Sequence, residues 1–169
     1  ELKLDNRKLL LLKSGVQSSG NLFSEPDGPM AELDQIVSDR IAEYRTLHQT
    51  ADSYFLRKWP QEYLLKGWYI RMERGGHLVP HQHQEGWLSG VIYLEMPKRT
   101  AEEGSIEFSL HPDLPVIGKP PANVIYRVSE GDMILFPSSL DHRTIPFDSD
   151  ENRLCIGFDL VPSKTSIEN

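Results

Sequence analysis

The sequence predicts a mainly β fold, an antiparallel sandwich or jelly roll with one amphipathic helix packed outside one sheet. Three observations lead there. Beyond Ser53 the chain breaks into short segments rich in β-branched and aromatic residues, Gly and Pro separate them, and no helical periodicity intervenes. At 169 residues the chain has the length of one domain, with a strand and helix in residues 1–50 and a β core over about 54–162.

Each element follows in order. Lys8 to Lys13 reads as a short buried strand stopped by the turn-forming Ser14-Gly15 pair, and a polar stretch runs from Gln17 to Gly28. Met30, Leu33, Ile36, Val37, Ile41, Tyr44 and Leu47 then recur at three- and four-residue spacing, which predicts a helix over Pro29 to His48 capped by Asp27. Strands are expected at Trp68–Glu73, Leu88–Glu95, Ser105–Leu110, Asn123–Val128, Asp132–Phe136 and Leu154–Leu160, with loops at Met96–Gly104 and at the Pro-rich His111–Ala122.

Composition narrows the function classes. Against 18 Lys and Arg stand 25 Asp and Glu, a net charge of −7, and basic residues do not cluster, so binding to a nucleic-acid backbone is disfavoured. No apolar run approaches the length of a membrane span. The single cysteine, Cys155, has no partner for an internal disulfide, which suits a reducing compartment and points to the cytoplasm. Opening at Glu1 rather than at methionine, the sequence reads as a processed or excised piece.

The chemistry concentrates in histidines. On a strand, residues two apart project from one face, so His81 and His83 can aim two imidazoles at one point. His142, after the Asp132–Phe136 strand and the Pro137-Ser138-Ser139 turn, is the candidate third ligand. Three imidazoles on one side of Fe(II), Zn, Cu or Ni leave positions open for a substrate or oxygen. Taken alone, His-x-His is more often an ordinary surface pair. Arg153, at the start of the last strand, presents a guanidinium fork suited to a carboxylate, the plain alternative being a surface pair with Asp150 or Glu151.

The segment His81-Gln82-His83-Gln84-Glu85-Gly86-Trp87-Leu88-Ser89-Gly90-Val91-Ile92-Tyr93, then Gly131-Asp132-Met133-Ile134-Leu135-Phe136-Pro137 leading to His142, and finally Arg153, resembles the 2-oxoglutarate- and Fe(II)-dependent oxygenases. It is most similar to a branch carrying H-x-H followed by SGxxY, and the resemblance covers roughly Gly67 to Val161. It implies a double-stranded β-helix, the jelly roll that cupins also use. It also implies a dioxygenase that takes O2 and 2-oxoglutarate, releases succinate and hydroxylates a substrate. Matched position by position, His81 and His142 are iron ligands and Arg153 anchors the far carboxylate of 2-oxoglutarate. His83 stands where that superfamily has Asp or Glu, so either the site has three histidines or Glu85 supplies the carboxylate.

Trp87, Ser89, Val91 and Tyr93 share a face by alternation, and Ser89 and Tyr93 are expected to contact the cosubstrate. Tyr69 and Arg71 fall on a neighbouring strand, with Arg71 a candidate for an acidic group; His77 is expected solvated in a loop after Gly75-Gly76, and His48 and His111 structural or exposed. No motif names the substrate, small molecule or protein. Two other readings compete: a cupin-type three-histidine metalloenzyme that needs no keto acid and no Arg153, and a metal-free β-sandwich binding module.

Overall fold

The computed structural model describes residues 6–7, 10–98, 102–109 and 123–163. Among these residues nine strands and two helices follow in chain order: β1 (Asn6–Arg7), β2 (Leu12–Ser18), α1 (Gly28–Leu47), α2 (Tyr54–Arg57), β3 (Tyr63–Leu78), β4 (Leu88–Glu95), β5 (Ile106–Ser109), β6 (Asn123–Tyr126), β7 (Met133–Pro137), β8 (Asp141–Thr144) and β9 (Arg153–Pro162). They form a six-stranded antiparallel sheet, β1-β2-β3-β9-β4-β7, facing a three-stranded sheet, β6-β5-β8. Mainly β architecture with a helix outside one sheet is therefore what the chain adopts.

Alternation along β9 explains both layers of core. Successive side chains point to opposite faces of a sheet. Ile156, Phe158 and Leu160 face outward and pack with Val37 and Ile41 of α1, whereas Cys155 packs inward with Ile70, Met72, Tyr93, Phe108 and Phe136. Burying such side chains contributes roughly 1.5–3 kcal/mol each. Within α1 the apolar stripe is narrower than its spacing predicts, since Ile36 and Leu47 are exposed. Asp27 has the extended backbone of an N-cap but makes no side-chain cap bond, and Pro29 occupies the first turn.

Several boundaries differ from the expectation for physical reasons. Ser14-Gly15 is no turn: β2 runs through it, with a register shift between Lys13 and Gly15 and Ser14 at φ 44°. Likewise β3 continues through Gly75-Gly76, with Gly75 at φ 76°, so His77 is a half-buried strand residue whose Nδ1 meets the Gly75 carbonyl at 2.9 Å. Ser53 caps the unexpected α2, its Oγ accepting from Leu56 N–H at 3.3 Å. Gly131, at φ 84°, makes the expected tight entry to β7, its N–H donating to Tyr93 C=O at 2.8 Å. Lys8 and Leu9, residues 99–101 of the Met96–Gly104 loop, and the loop His111–Ala122 with His111 itself lie outside the described residues.

Candidate metal centre

Three histidines meet between the two sheets. The chain leaving β3 touches β8 at an isolated antiparallel bridge, where His81 N–H donates to His142 C=O at 3.0 Å and His142 N–H returns the bond at 3.1 Å. Directly opposed residues of an antiparallel pair project to the same side. The two rings accordingly lie 4.3 Å apart. His83 follows in an irregular segment, not on a strand, and is held by its N–H to Ser138 C=O at 3.0 Å; its ring lies 5.2 Å from His81 and 5.0 Å from His142. His142, expected at a rim beyond a turn, sits within β8 and is buried.

The hydrogen bonds fix which nitrogens are free. His81 Nδ1 lies 2.8 Å from Val79 C=O and His142 Nδ1 3.0 Å from Leu140 C=O; carbonyls only accept, so both Nδ1 atoms carry the proton. His83 Nδ1 donates to the Asp159 carboxylate at 2.7 Å. With Nδ1 engaged in each ring, Nε2 is the nitrogen that each can offer to a metal. The His81 and His83 Nε2 atoms stand 3.3 Å apart, and one nitrogen from each of the three rings falls within 4.8 Å of the others. This spacing suits a shared ion, because nitrogens bound at about 2.1 Å around one ion come within roughly 3.0–3.4 Å of each other.

Electrostatics agree. Burial, and then the neighbouring His81, push His142 down to about 3, and burial lowers His81 as well, so both are neutral imidazoles at pH 7. The donor set therefore fits a divalent borderline metal such as Fe(II), Zn or Ni. Glu85, the alternative carboxylate, does not join it: it is exposed and ion-paired with Lys66 at 2.8 Å, which lowers its pKa.

Beside the trio lies a cavity of about 210 Å³, whose lining includes Trp68, Val91, Tyr93, Thr144 and Arg153. This is below the roughly 300–1,000 Å³ of drug-sized pockets and leaves room for a small molecule. Arg153 is only 2% exposed and has no carboxylate within ion-pair distance among the described residues. Its Nε donates to Gly104 C=O at 3.1 Å; among the described residues Nη1 reaches only the sulfurs of Cys155 at 3.3 Å and Met72 at 3.7 Å, and the guanidinium lies 5.0 Å over the Tyr93 ring. Asp150 and Glu151, its possible surface partners, pair with Arg74 and Lys98 instead. A buried guanidinium so poorly answered favours an anion in the cavity. The Tyr93 hydroxyl nearby is buried and meets no partner at hydrogen-bond geometry among the described residues; burial, opposed in part by the adjoining Arg153 guanidinium, raises its pKa well above the usual phenol value.

Other expected residues fall elsewhere. Ser89 does not reach the cavity but sits behind His83, its hydroxyl 2.6 Å from Asp159. Trp87 precedes β4, stacks on Phe55 at 5.6 Å and donates its Nε1–H to Phe55 C=O at 3.2 Å, on the helix side. Arg71 is exposed and turned away from the cavity, Tyr69 packs in the outer core, and His48 packs on Tyr44 at the end of α1. Cys155 is the small buried inward residue expected. Sequence reasoning missed Trp68, whose ring lies 5.6 Å from that of His83, and Asp159. A charge within Leu154–Leu160, two-residue steps from Arg153, was the available signal for the latter.

Comparison with known proteins bears on class. A family model described as "Putative 2OG-Fe(II) oxygenase" matches residues 66–159, more than half of the chain, and the chain belongs to that family. The fold is similar to a prolyl-4-hydroxylase from Pseudomonas putida at TM-score 0.65, with 12% identity over 95% of this chain and 78% of that one. It is similar also to HygX from Streptomyces hygroscopicus, solved with nickel and 2-oxoglutarate bound, at TM-score 0.61 and 15% identity over 96% and 75% of the two chains. An oxidoreductase of the 2OG-Fe(II) oxygenase family from Burkholderia pseudomallei follows at TM-score 0.54, 14% identity, 94% and 74%. These likenesses make the fold a double-stranded β-helix. A search of curated proteins finds no match. Among the described residues no helix is long and apolar enough to cross a membrane.

Proposed function

We propose that this chain, as one catalytic unit, is a 2-oxoglutarate- and Fe(II)-dependent dioxygenase whose iron is held by His81, His83 and His142. The observation that carries the reading is the convergence of one nitrogen from each of three imidazoles beside a buried guanidinium with no carboxylate partner among the described residues. Iron bound there would activate O2 for oxidative decarboxylation of the keto acid and attack on a substrate C–H bond.

The chain's own residues do the rest. Neutral His81 and His142 offer lone pairs without first losing a proton, so loading the metal does not compete with protonation near pH 7. Arg153 receives the distal carboxylate of 2-oxoglutarate with two parallel N–H donors, an arrangement about twice as strong as neutral hydrogen bonds. The Tyr93 hydroxyl donates to the same carboxylate. Trp68, Val91 and Ile70 keep water from the cavity and strengthen these contacts. A reducing compartment such as the cytoplasm would keep both Fe(II) and Cys155 reduced. The substrate, small molecule or protein, enters where the cavity opens.

Anaerobic addition of 2-oxoglutarate to the Fe(II)-loaded protein tests this. A visible metal-to-ligand charge-transfer band is expected, weakened at least tenfold in apparent affinity by Arg153→Ala (on the order of 1.5–3 kcal/mol for a charged hydrogen bond) and absent in His142→Ala. Metal uptake without the band and without succinate release would favour a three-histidine metalloenzyme that does not use a keto acid. No metal uptake would favour a binding module.

A further inference from the structure

The three-histidine set leaves the metal one negative charge short of a set containing a carboxylate, and Glu85 does not make up the difference. Behind His83, however, stands a carboxylate with no other evident task. Asp159 is 7% exposed, accepts the Nδ1–H of His83 at 2.7 Å and accepts the Ser89 hydroxyl at 2.6 Å on the same Oδ1. Ser89 has one proton and commits it to Asp159, so Ser138, 2.8 Å from Ser89 Oγ, donates to Ser89 in turn. Ser89 and Ser138 are fully buried.

The fold constructs this arrangement at several points. Ser89 and Asp159 are cross-strand partners in the β4–β9 ladder, which turns both side chains to one face. Lys66 is the partner of Asp159 on the other flank, in β3, yet its ammonium is engaged by Glu85. Among the described residues, no Lys or Arg comes within ion-pair distance of Asp159. Gly86 leaves the space open, since a Cβ there would stand 2.5 Å from Ser138 Oγ and 3.1 Å from Asp159 Cγ. A buried carboxylate whose contacts among the described residues are one imidazole and one hydroxyl carries a desolvation penalty that a cation bound beyond the imidazole would offset.

We infer that Asp159 is the positioning residue that replaces the missing carboxylate ligand: through His83 it fixes the Nδ1–H tautomer, orients Nε2 to the metal and supplies the negative charge one bond network back. A carboxylate behind a ligating imidazole raises the basicity of that ligand, and losing such a partner typically lowers metal affinity by 10–100-fold. The inference rests on the three-histidine metal site proposed above.

Co(II), added alone to the metal-free protein and titrated against a chromophoric chelator, is the probe. Asp159→Asn keeps an accepting oxygen in place and removes only the charge; its Co(II) affinity is expected to fall about tenfold, with a shifted Co(II) absorption band and an unchanged melting temperature of the metal-free protein. Ser89→Ala, which leaves the charge, should lose less affinity than Asp159→Asn. Wild-type Co(II) affinity in Asp159→Asn would overturn the inference. So would a loss that merely tracks destabilisation of the metal-free protein, or a larger loss in Ser89→Ala. Should His142→Ala bind as well as wild type, or wild type not bind, the metal site itself fails and the inference with it. Binding abolished by His142→Ala but untouched by Asp159→Asn would sink this inference alone.

Discussion

His142 is the residue on which acid sensitivity should turn. Burial and its imidazole neighbour hold it at about 3, against about 6.5 in an unfolded chain. Between those values the unfolded chain takes up a proton that the fold refuses, so stability present above pH 6.5 is lost as the pH falls toward 3. His81, also lowered by burial, adds to the slope. The urea midpoint of the metal-free protein is therefore expected to drop between pH 6.5 and 4, and His142→Asn, which cannot protonate there, should flatten the drop. Each tenfold change in proton affinity is worth about 1.4 kcal/mol. Identical slopes in wild type and variant would assign the sensitivity to other groups. Above pH 6.5 these two histidines contribute no pH dependence.

Among the elements, β9 and its neighbour β4 set the tolerance of the sheet. Gly90 faces Phe158 across the ladder, and a Cβ on it would come within 2.2–2.7 Å of three atoms of that fully buried ring. Gly90→Ala should destabilise the protein by about 1–3 kcal/mol, the range for overpacked cores, read as a lower denaturation midpoint; a neutral result would mean the helix-side layer yields easily. The elements also show where sequence reasoning reaches. Long apolar runs such as Leu88–Glu95 and Leu154–Leu160 were legible because burial on both faces writes itself as hydrophobicity. The four-residue β8 was not, since its buried residues are His142 and Thr144 and its pattern carries no apolar alternation. Glycines misled in β2 and β3 because the same residue that stops a strand also permits a bulge within one.

At the scale of the whole molecule, the metal would fasten the two sheets together. His81 is bridged to β8, His83 is tied to β9 through Asp159, and His142 belongs to the small sheet. Ligand at 100 times its dissociation constant stabilises by about 2.7 kcal/mol, and each kcal/mol is worth about 2–4 °C in a protein of this size. Saturating Fe(II) or Co(II) should thus raise the melting temperature by about 5–10 °C, and His142→Ala should abolish the rise. The trio was legible in advance because the spacing of His81 and His83 is local and the late histidine follows a recognisable strand. Asp159 was not, because only the pairing of β9 with β4 reveals what stands behind His83.

The single-file order of β9 has one more consequence. Arg153, Cys155, Gly157 and Asp159 occupy its inward positions while Leu154, Ile156, Phe158 and Leu160 turn outward. Removing one residue anywhere between Arg153 and Asp159 would put the guanidinium and the carboxylate on opposite sides of the sheet, one of them in hydrocarbon. Substitutions can diversify this protein; a length change in that strand cannot, because Arg153 and Asp159 are kept in phase by an unbroken count.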